Sequence, residues 1–467
     1  MLERLEDVFN KYYDRIAYKN NDSSITYSEL WNSACKYADY LKRQGTSPVI
    51  IYGDKEIDMV VSIISCILAK RAYVPLGNCT PLSRLKKIID ITESSLIISN
   101  NKFDLDIDSY KINELDIFKG YEINKIENDI IYIIFTSGST GEPKGVPINE
   151  DNLLNFIDWI SSFYPLSSYE EINVLDQASF SFDLSVCDIF ISLYNGYTLN
   201  ALNKATYTDL DYVYKTIKDN NISIIVSTPT FIKMCLLDPL FYESNYPFLK
   251  TFIFCGEVLE ISLARKILEK FPNIEIVNAY GPTEATCFVC STIITKKDLD
   301  KNILPVGDMN NTSTNIIINN GTILLSGPAV FNGYLNSDNN PFIELNTIKY
   351  YNTNDIGYIE DNRLYCIGRS DSQIKLNGYR IELLEIENKI KELNYITDCV
   401  VVAKKQDNQV KYIKAFITVN KDINTDEIYS YLKERIPIYM IPKYIEILDA
   451  MPTNNNGKID RKKISEL

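Results

Sequence analysis

The 467-residue chain contains no histidine. That absence removes imidazole general bases, His-dependent triads and His-ligated metals together. Catalysis in such a chain falls to positioning, to electrostatic stabilisation by Lys, Arg and backbone amides, and to a carboxylate-held divalent cation. These are the tools of nucleotidyl and phosphoryl transfer. Long apolar runs are missing too: the longest, Met59 to Ala69, has 11 residues between Asp58 and Lys70, about half of what a bilayer-spanning helix needs. No membrane span is expected. The opening Met-Leu-Glu-Arg-Leu-Glu-Asp lacks the apolar stretch and small-residue cleavage site of a secretory signal. Ten cysteines without regular spacing suit a reducing compartment in which buried thiols act as small hydrophobes, so a cytoplasmic address is expected. Cys287 and Cys290 form the only Cys-x-x-Cys, and without a second pair at metal spacing they do not argue for zinc.

What is present is an ordinary globular composition, 45% apolar and 24% charged, enough to bury a large core. The formal charge is −14 and unevenly spread. Residues 369–467 hold 17 basic and 15 acidic residues, leaving the first 368 with a net charge of −16. So acidic a body repels phosphate backbones, and nucleic acid is not expected as a partner. The same asymmetry also serves plain surface solubility.

One segment carries chemistry on its face. Ile-Ile-Tyr-Ile-Ile-Phe runs into Thr136-Ser137-Gly138-Ser139-Thr140-Gly141-Glu142-Pro143-Lys144-Gly145, a β-branched strand spilling into hydroxyls, glycines and one lysine. Glycines let backbone N–H groups approach an anion, and successive amides can form an anion-binding nest. The spacing is not that of a P-loop, which needs Gly-x-x-x-x-Gly-Lys-Ser/Thr opening a helix. A Ser/Gly-rich stretch can also be a simple linker; the preceding strand and the enclosed lysine favour a phosphate cradle.

Short apolar runs at Val49–Tyr52, Ser95–Ile98, Ile222–Val226 and Thr251–Phe254 alternate with helical stretches such as Ser262–Phe271. That alternation predicts an α/β fold with parallel sheets covered on both faces. The Asn-rich stretch Asp308–Gly321 and the loop Asn336–Asn340 read as turn-rich surface segments. The pattern changes near Gly368-Arg369-Ser370-Asp371. The expected organisation is a large N-terminal domain of sheet-helix subdomains, residues 1–368, and a small mobile α+β C-terminal domain, residues 369–467.

In order along the chain stand Thr26-Tyr27-Ser28-Glu29-Leu30, Ala72-Tyr73-Val74-Pro75-Leu76, the loop 136–145, Phe182-Asp183-Leu184-Ser185, Phe254-Cys255-Gly256-Glu257, Asn278-Ala279-Tyr280-Gly281-Pro282-Thr283-Glu284, Asn354-Asp355, Gly368-Arg369, Gly378-Tyr379-Arg380, Pro437 to Pro442 and Asn456-Gly457-Lys458. This series resembles the adenylate-forming superfamily, in particular the amino-acid adenylation enzymes. The stretches 180–185 and 251–259 look most like the ligases that load D-alanine onto a carrier protein for teichoic acid D-alanylation. The resemblance implies two half-reactions: an aminoacyl-AMP forms with release of pyrophosphate, and the acyl group then passes to a carrier protein's phosphopantetheine thiol. ATP and Mg²⁺ are the implied cofactors. A different small amino acid in a nonribosomal peptide-type pathway is the alternative.

The resemblance also implies roles. Thr136, Ser137, Gly138, Ser139, Thr140, Gly141 and Lys144 would hold the β and γ phosphates. Asn278, Ala279 and Tyr280, with Gly281, Pro282 and Thr283 following, would contact the adenine end of ATP, and Asp355 would accept bonds from the ribose hydroxyls. Glu284 would hold Mg²⁺, a hard cation that prefers carboxylate oxygen. Arg369 would reach the nucleotide, Asp371 would act as hinge, and Lys458 would be the catalytic group touching the substrate carboxylate and α-phosphate together. Lys458 could otherwise be a solvated lysine like Lys462 and Lys463.

Asp183 bears on substrate class, because a carboxylate facing an apolar acyl pocket is costly unless a cation such as an α-ammonium arrives. Phe-Asp-Leu-Ser is also a reasonable helix N-cap sequence, and both roles are compatible. By similarity Leu184, Cys255, Gly281, Pro282 and Cys287 are pocket walls, with Cys255 narrowing the space toward a small side chain. Departures from the family pattern include Gly77 for an acidic residue, Cys287 for an aliphatic one, Thr322 for a glutamate, Asn354 for a glycine and Asn377 for a histidine.

Overall fold

The computed structural model describes residues 1–20, 23–103, 105, 107–114, 129–138, 142–163, 171–203, 209–335, 340–406, 409–421, 423–453 and 459–467. Ser139, Thr140, Gly141 and Lys458 lie outside the described residues, as does most of the loop 336–340. The chain divides into two compact units. The first comprises Met1–Asn78, Thr92–Ile134 and Val146–Gly368; the second comprises Cys79–Ile91, Phe135–Gly145 and Arg369–Leu467.

The first unit is α/β. One sheet has eight strands, of which Asn173–Asp176, Thr198–Ala201, Ile224–Ser227, Thr251–Phe254 and Glu275–Tyr280 pair in parallel. A second, six-stranded sheet has Val49–Gly53 between Tyr73–Gly77 and Leu96–Ser99, again parallel. Buried on both faces, these strands read as continuous apolar runs: every residue of Ile224–Ser227, Thr251–Phe254 and Leu96–Ser99 is buried. The strand expected at 222–226 is found at Ile224–Ser227, and the helix expected from Ser262 covers Ile261–Lys270. Among the described residues no helix is long and apolar enough to cross a membrane.

A third sheet is antiparallel and corrects one expectation. Part of the Asn-rich stretch 308–321 is not surface turn but strand, Asn315–Asn319, paired with Thr322–Ser326. The reason lies in Ile316-Ile317-Ile318 followed by Asn320-Gly321, both with positive φ (49° and 80°). That is the conformation of a two-residue hairpin turn, which Asn-Gly adopts readily.

The second unit has a three-stranded sheet, Ile396–Gln406, Gln409–Val419 and Tyr444–Ile447, packed through Cys399, Val401, Ile413 and Ala415 against Ile386 and Ile390 of the helix Leu383–Lys391. A hairpin, Gln373–Leu376 with Tyr379–Glu382, turns on Asn377-Gly378, again both at positive φ (51° and 82°). Asn377 is thus a turn former.

Candidate active site

The strand Glu275–Tyr280 runs into Gly281, Pro282 and a single 3-10 turn, Thr283–Ala285. The chain doubles back so tightly that a Cβ at Gly281 would lie 2.2 Å from the Cα of Phe288, so only glycine fits there. The return is strained. Thr286 and Cys287 both take left-handed backbone (φ 58° and 74°), unfavourable for a β-branched residue. The Thr286 hydroxyl donates to the Ala329 carbonyl at 2.8 Å, and the Val289 N–H donates to the Tyr280 carbonyl at 2.8 Å. Such over-determined strain gathers at functional sites.

This turn aims three side chains. Thr283 donates its hydroxyl to Asp183 Oδ2 at 2.5 Å. Asp183 stands at the start of the helix Leu184–Asn195 but makes no capping bond through its side chain. Its carboxylate, 6% exposed, is therefore turned to Thr283 instead of its own helix end. Next along, Glu284 is fully buried and accepts the Tyr334 phenol O–H at 2.6 Å, while its carbonyl accepts the Phe331 N–H at 2.8 Å. Third, Cys287 shares a buried neighbourhood with Asp183, Cys187 and Cys255; burial, then the Asp183 charge, push its thiol well up, so it stays neutral. Leu184 adjoins the same place, its Cδ1 lying 3.5 Å from where a Cβ on Gly256 would sit.

A second cluster forms where the strand Ile348–Glu360 passes. The Tyr280 phenol donates to Asp355 Oδ2 at 2.7 Å, and the Asp355 N–H donates to Thr353 Oγ1 at 3.0 Å. Burial and then the Asp355 charge hold the phenol well above its usual value, so it remains a donor. A carboxylate has about four acceptor positions, so this bond is compatible with further hydroxyl donors. Asn354 has φ 58°, a left-handed backbone that asparagine accepts more readily than other residues with a side chain. Asn278 behaves differently from Tyr280, because its side-chain N–H donates to the Pro305 carbonyl at 2.8 Å. That donor is committed to the fold.

The remaining sites belong to the second unit. The Thr136 hydroxyl is buried and has no hydrogen-bond partner among the described residues, an arrangement that suits a donor awaiting an anion. Ser137 donates to the Arg380 carbonyl at 3.0 Å and accepts the Glu382 N–H at 3.2 Å. The Gly138 N–H donates to Glu385 Oε2 at 3.3 Å, and the other oxygen of Glu385 pairs with Arg84 at 3.1 Å. A Cβ at Gly138 would meet the Glu142 carbonyl at 2.1 Å, so the loop closes too tightly for any other residue. Lys144 opens the strand Lys144–Asn149 and contributes positive charge to Glu382. Arg369 grips Asp371 with two N–H groups, at 2.8 and 2.6 Å. Burial raises the Asp371 carboxyl, but these bonds outweigh it and hold the group below the usual carboxylate range.

Tyr334 and Cys187 are the site neighbours that sequence reasoning missed. The aromatic pair Phe331 and Tyr334, rings 5.0 Å apart after Gly327-Pro328, was the available signal.

Two largely parallel sheets, a third antiparallel one, a strained Gly-Pro-Thr-Glu turn and a compact α+β second unit together make up a fold shared with solved adenylation domains. A solved adenylation domain from Vibrio cholerae, AlmE in complex with glycyl-adenosine-5'-phosphate, superposes with a TM-score of 0.86 over 99% of this chain and 96% of its own, at 22% identity. The o-succinylbenzoate CoA synthetase of Bacillus subtilis does so at 0.85 over 99% and 98%, at 20% identity. The chain belongs to the AMP-binding enzyme family: that family's model matches residues 5–335, and the model of the AMP-binding enzyme C-terminal domain matches residues 385–458. Among curated relatives, the D-alanine--D-alanyl carrier protein ligase of Bacillus licheniformis is 35% identical across 100% of this chain and 99% of its own length. That of Bacillus cytotoxicus is 36% identical across 99% and 98%.

Proposed function

We propose that this chain is an AMP-forming ligase that activates D-alanine with ATP and passes it to the phosphopantetheine thiol of a carrier protein. The observation that carries the reading is the Thr283–Asp183 bond. It holds a buried carboxylate, among the buried side chains of Cys187, Cys255 and Cys287, in a setting that an α-ammonium would complete. The full-length relatives named as D-alanine--D-alanyl carrier protein ligases support the substrate and the carrier.

In the first step an oxygen of the substrate carboxylate attacks the α-phosphorus. The bond from that phosphorus to the β-phosphate's bridging oxygen breaks, and pyrophosphate leaves with the electron pair. In the second step the carrier thiol's sulfur attacks the acyl carbon, AMP departs, and the thiol proton passes to solvent. Both steps need charge placement more than proton shuttling, which suits a chain without histidine.

Thr136, Ser137, Gly138 and Lys144 would cradle the β and γ phosphates, with Ser139, Thr140 and Gly141 completing the loop. Tyr280, Ala279 and Gly281 would border adenine and Asp355 the ribose, Arg369 would approach the nucleotide, Asp371 would be the hinge, and Lys458 would neutralise charge at the reacting carboxylate and α-phosphate. Leu184, Cys255, Pro282 and Cys287 would wall the methyl pocket.

Glu284 fits Mg²⁺ by its chemistry: a fully buried hard oxygen donor, oriented by Tyr334, with no cluster of three or more metal-ligating side chains among the described residues. A single carboxylate plus substrate phosphates is the usual Mg²⁺ arrangement. When bound, Mg²⁺ would offset phosphate charge and orient the leaving group. An enzyme that draws on ATP and a reduced carrier thiol would work in the cytoplasm.

A second reading, another small amino acid, is favoured by Cys287, whose buried thiol stands where the resemblance leads one to expect an aliphatic side chain. Pyrophosphate exchange across a panel of small D- and L-amino acids and glycine tests both. D-alanine should give the highest kcat/KM. Absence of exchange with every member would overturn the proposal, and a different winner would replace the substrate.

A further inference from the structure

Lys55 lies between the strand Val49–Gly53 and the helix Ile57–Leu68, far in sequence from every residue assigned above. Its side chain is 1% exposed and its ion-pair partner, Asp176, is fully buried. The ammonium donates to Asp176 Oδ1 and, at 2.5 Å, to the Ala178 carbonyl, and sits 3.8 Å from the centre of the Phe180 ring. The Tyr18 phenol donates to Asp176 Oδ2 at 3.2 Å and to the Lys55 carbonyl at 3.1 Å. Asp176 ends the strand Asn173–Asp176, and Asp183 precedes the helix Leu184–Asn195. The segment between them is the one Lys55 fastens at 176, 178 and 180. Beyond Phe180 the segment holds itself: the Phe182 N–H donates to the Ser179 carbonyl at 2.9 Å and the Ser185 hydroxyl to the Phe182 carbonyl at 2.7 Å.

A buried ion pair is often no more stabilising than apolar residues of the same volume, because desolvation offsets attraction. Stability alone is therefore a weak reason for a lysine here. Geometry supplies a better one, since the fastened segment ends on the carboxylate that meets the substrate.

We propose that Lys55 is a positioning residue for the substrate's ammonium group: by tying Asp176, Ala178 and Phe180 together it fixes where the segment delivers Asp183. This rests on the role given to Asp183 under the proposed function. No proton or group transfer is involved, and Lys55 does not touch substrate.

The test compares two adenylate mimics by calorimetry, alanyl-sulfamoyladenosine and propionyl-sulfamoyladenosine, which differ only in the amino group. The double variant Lys55→Met, Asp176→Asn removes both buried charges and leaves neither unpaired. It should bind the alanyl mimic about tenfold more weakly and the propionyl mimic within about twofold of the wild type. A merely structural role would weaken both alike; equal losses, or no loss, would overturn the inference. Should the double variant not fold, Tyr18→Phe removes one bond to Asp176 and should give a selective loss of about threefold. Equal effects on both mimics there would overturn the inference in the same way. If the wild type itself shows no preference for the alanyl mimic, the reading of Asp183 fails first, which is a separable result.

Discussion

The Thr283 hydroxyl and the Asp183 carboxylate, 100 residues apart in sequence, meet at 2.5 Å, and that bond joins the turn carrying Glu284 to the start of the helix Leu184–Asn195. Without it Asp183 could swing to the N–H groups of its own helix, the ordinary fate of a carboxylate at that position. A hydrogen bond to a charged group contributes about 1.5 kcal/mol or more. Thr283→Val should therefore raise the KM for the amino acid about tenfold and leave the KM for ATP nearly unchanged. Pyrophosphate exchange measures both, and equal rises would argue against the amino-acid role.

Tyr334 donates to Glu284, so Tyr334→Phe should leave the fold intact and shift the Mg²⁺ requirement upward, by about 10-fold if it orients a ligand. Glu284→Gln should abolish exchange at any Mg²⁺ concentration. A Mg²⁺ titration of exchange that does not move for Tyr334→Phe would remove it from the site.

Lys458→Ala should cut adenylation by orders of magnitude, since a single electrostatic donor is worth about 100-fold or more. Binding of ATP, followed by calorimetry, should persist. Near-normal exchange in that variant would move catalysis elsewhere.

Asn354 occupies left-handed backbone, which glycine accepts and a β-branched residue does not. Asn354→Gly should change stability little, whereas Asn354→Val should cost about 1–3 kcal/mol, read from denaturant midpoints.

Asp188 carries the pH signature. Burial, then the Asp176 charge, raise its carboxyl well above the usual range despite Lys55, and neither oxygen has a well-formed hydrogen bond among the described residues, although the Ala178 N–H favours the charged form slightly. A carboxyl raised on folding holds its proton in the native state, so stability falls as pH climbs from its unfolded value of about 3.9 toward the folded one. Asp188→Asn should therefore lose less stability than the wild type between pH 4 and 8, as thermal unfolding across that range would record.

Much of this was legible in the residues. Parallel strands such as Thr251–Phe254 announce themselves because burial on both faces leaves no polar alternation, and the loop 136–145 stands out because an anion cradle calls for glycines, hydroxyls and a cation; the Gly-Pro-Thr-Glu turn and Asp355 were marked through the resemblance to adenylation enzymes. The Asn-rich hairpin at 315–326 was misread because Asn-Gly marks a turn with or without strands beside it. The roles of Asn278 and Tyr334 were illegible for another reason: partners at Pro305 and Glu284 lie 27 and 50 residues away, and no local pattern encodes so distant a partner.

By itself the sequence determined the architecture class and the residue types available for chemistry, because backbone propensity, burial pattern and the lack of imidazole are local properties; its ordered motifs carried the resemblance to the family. Tertiary structure alone decided what each polar group faces. Asp183 could cap a helix or await an ammonium, and Lys55 could be any solvated lysine, until folding buried them beside Thr283 and Asp176; in a low-dielectric interior the partner at hydrogen-bonding distance fixes what a charge can do.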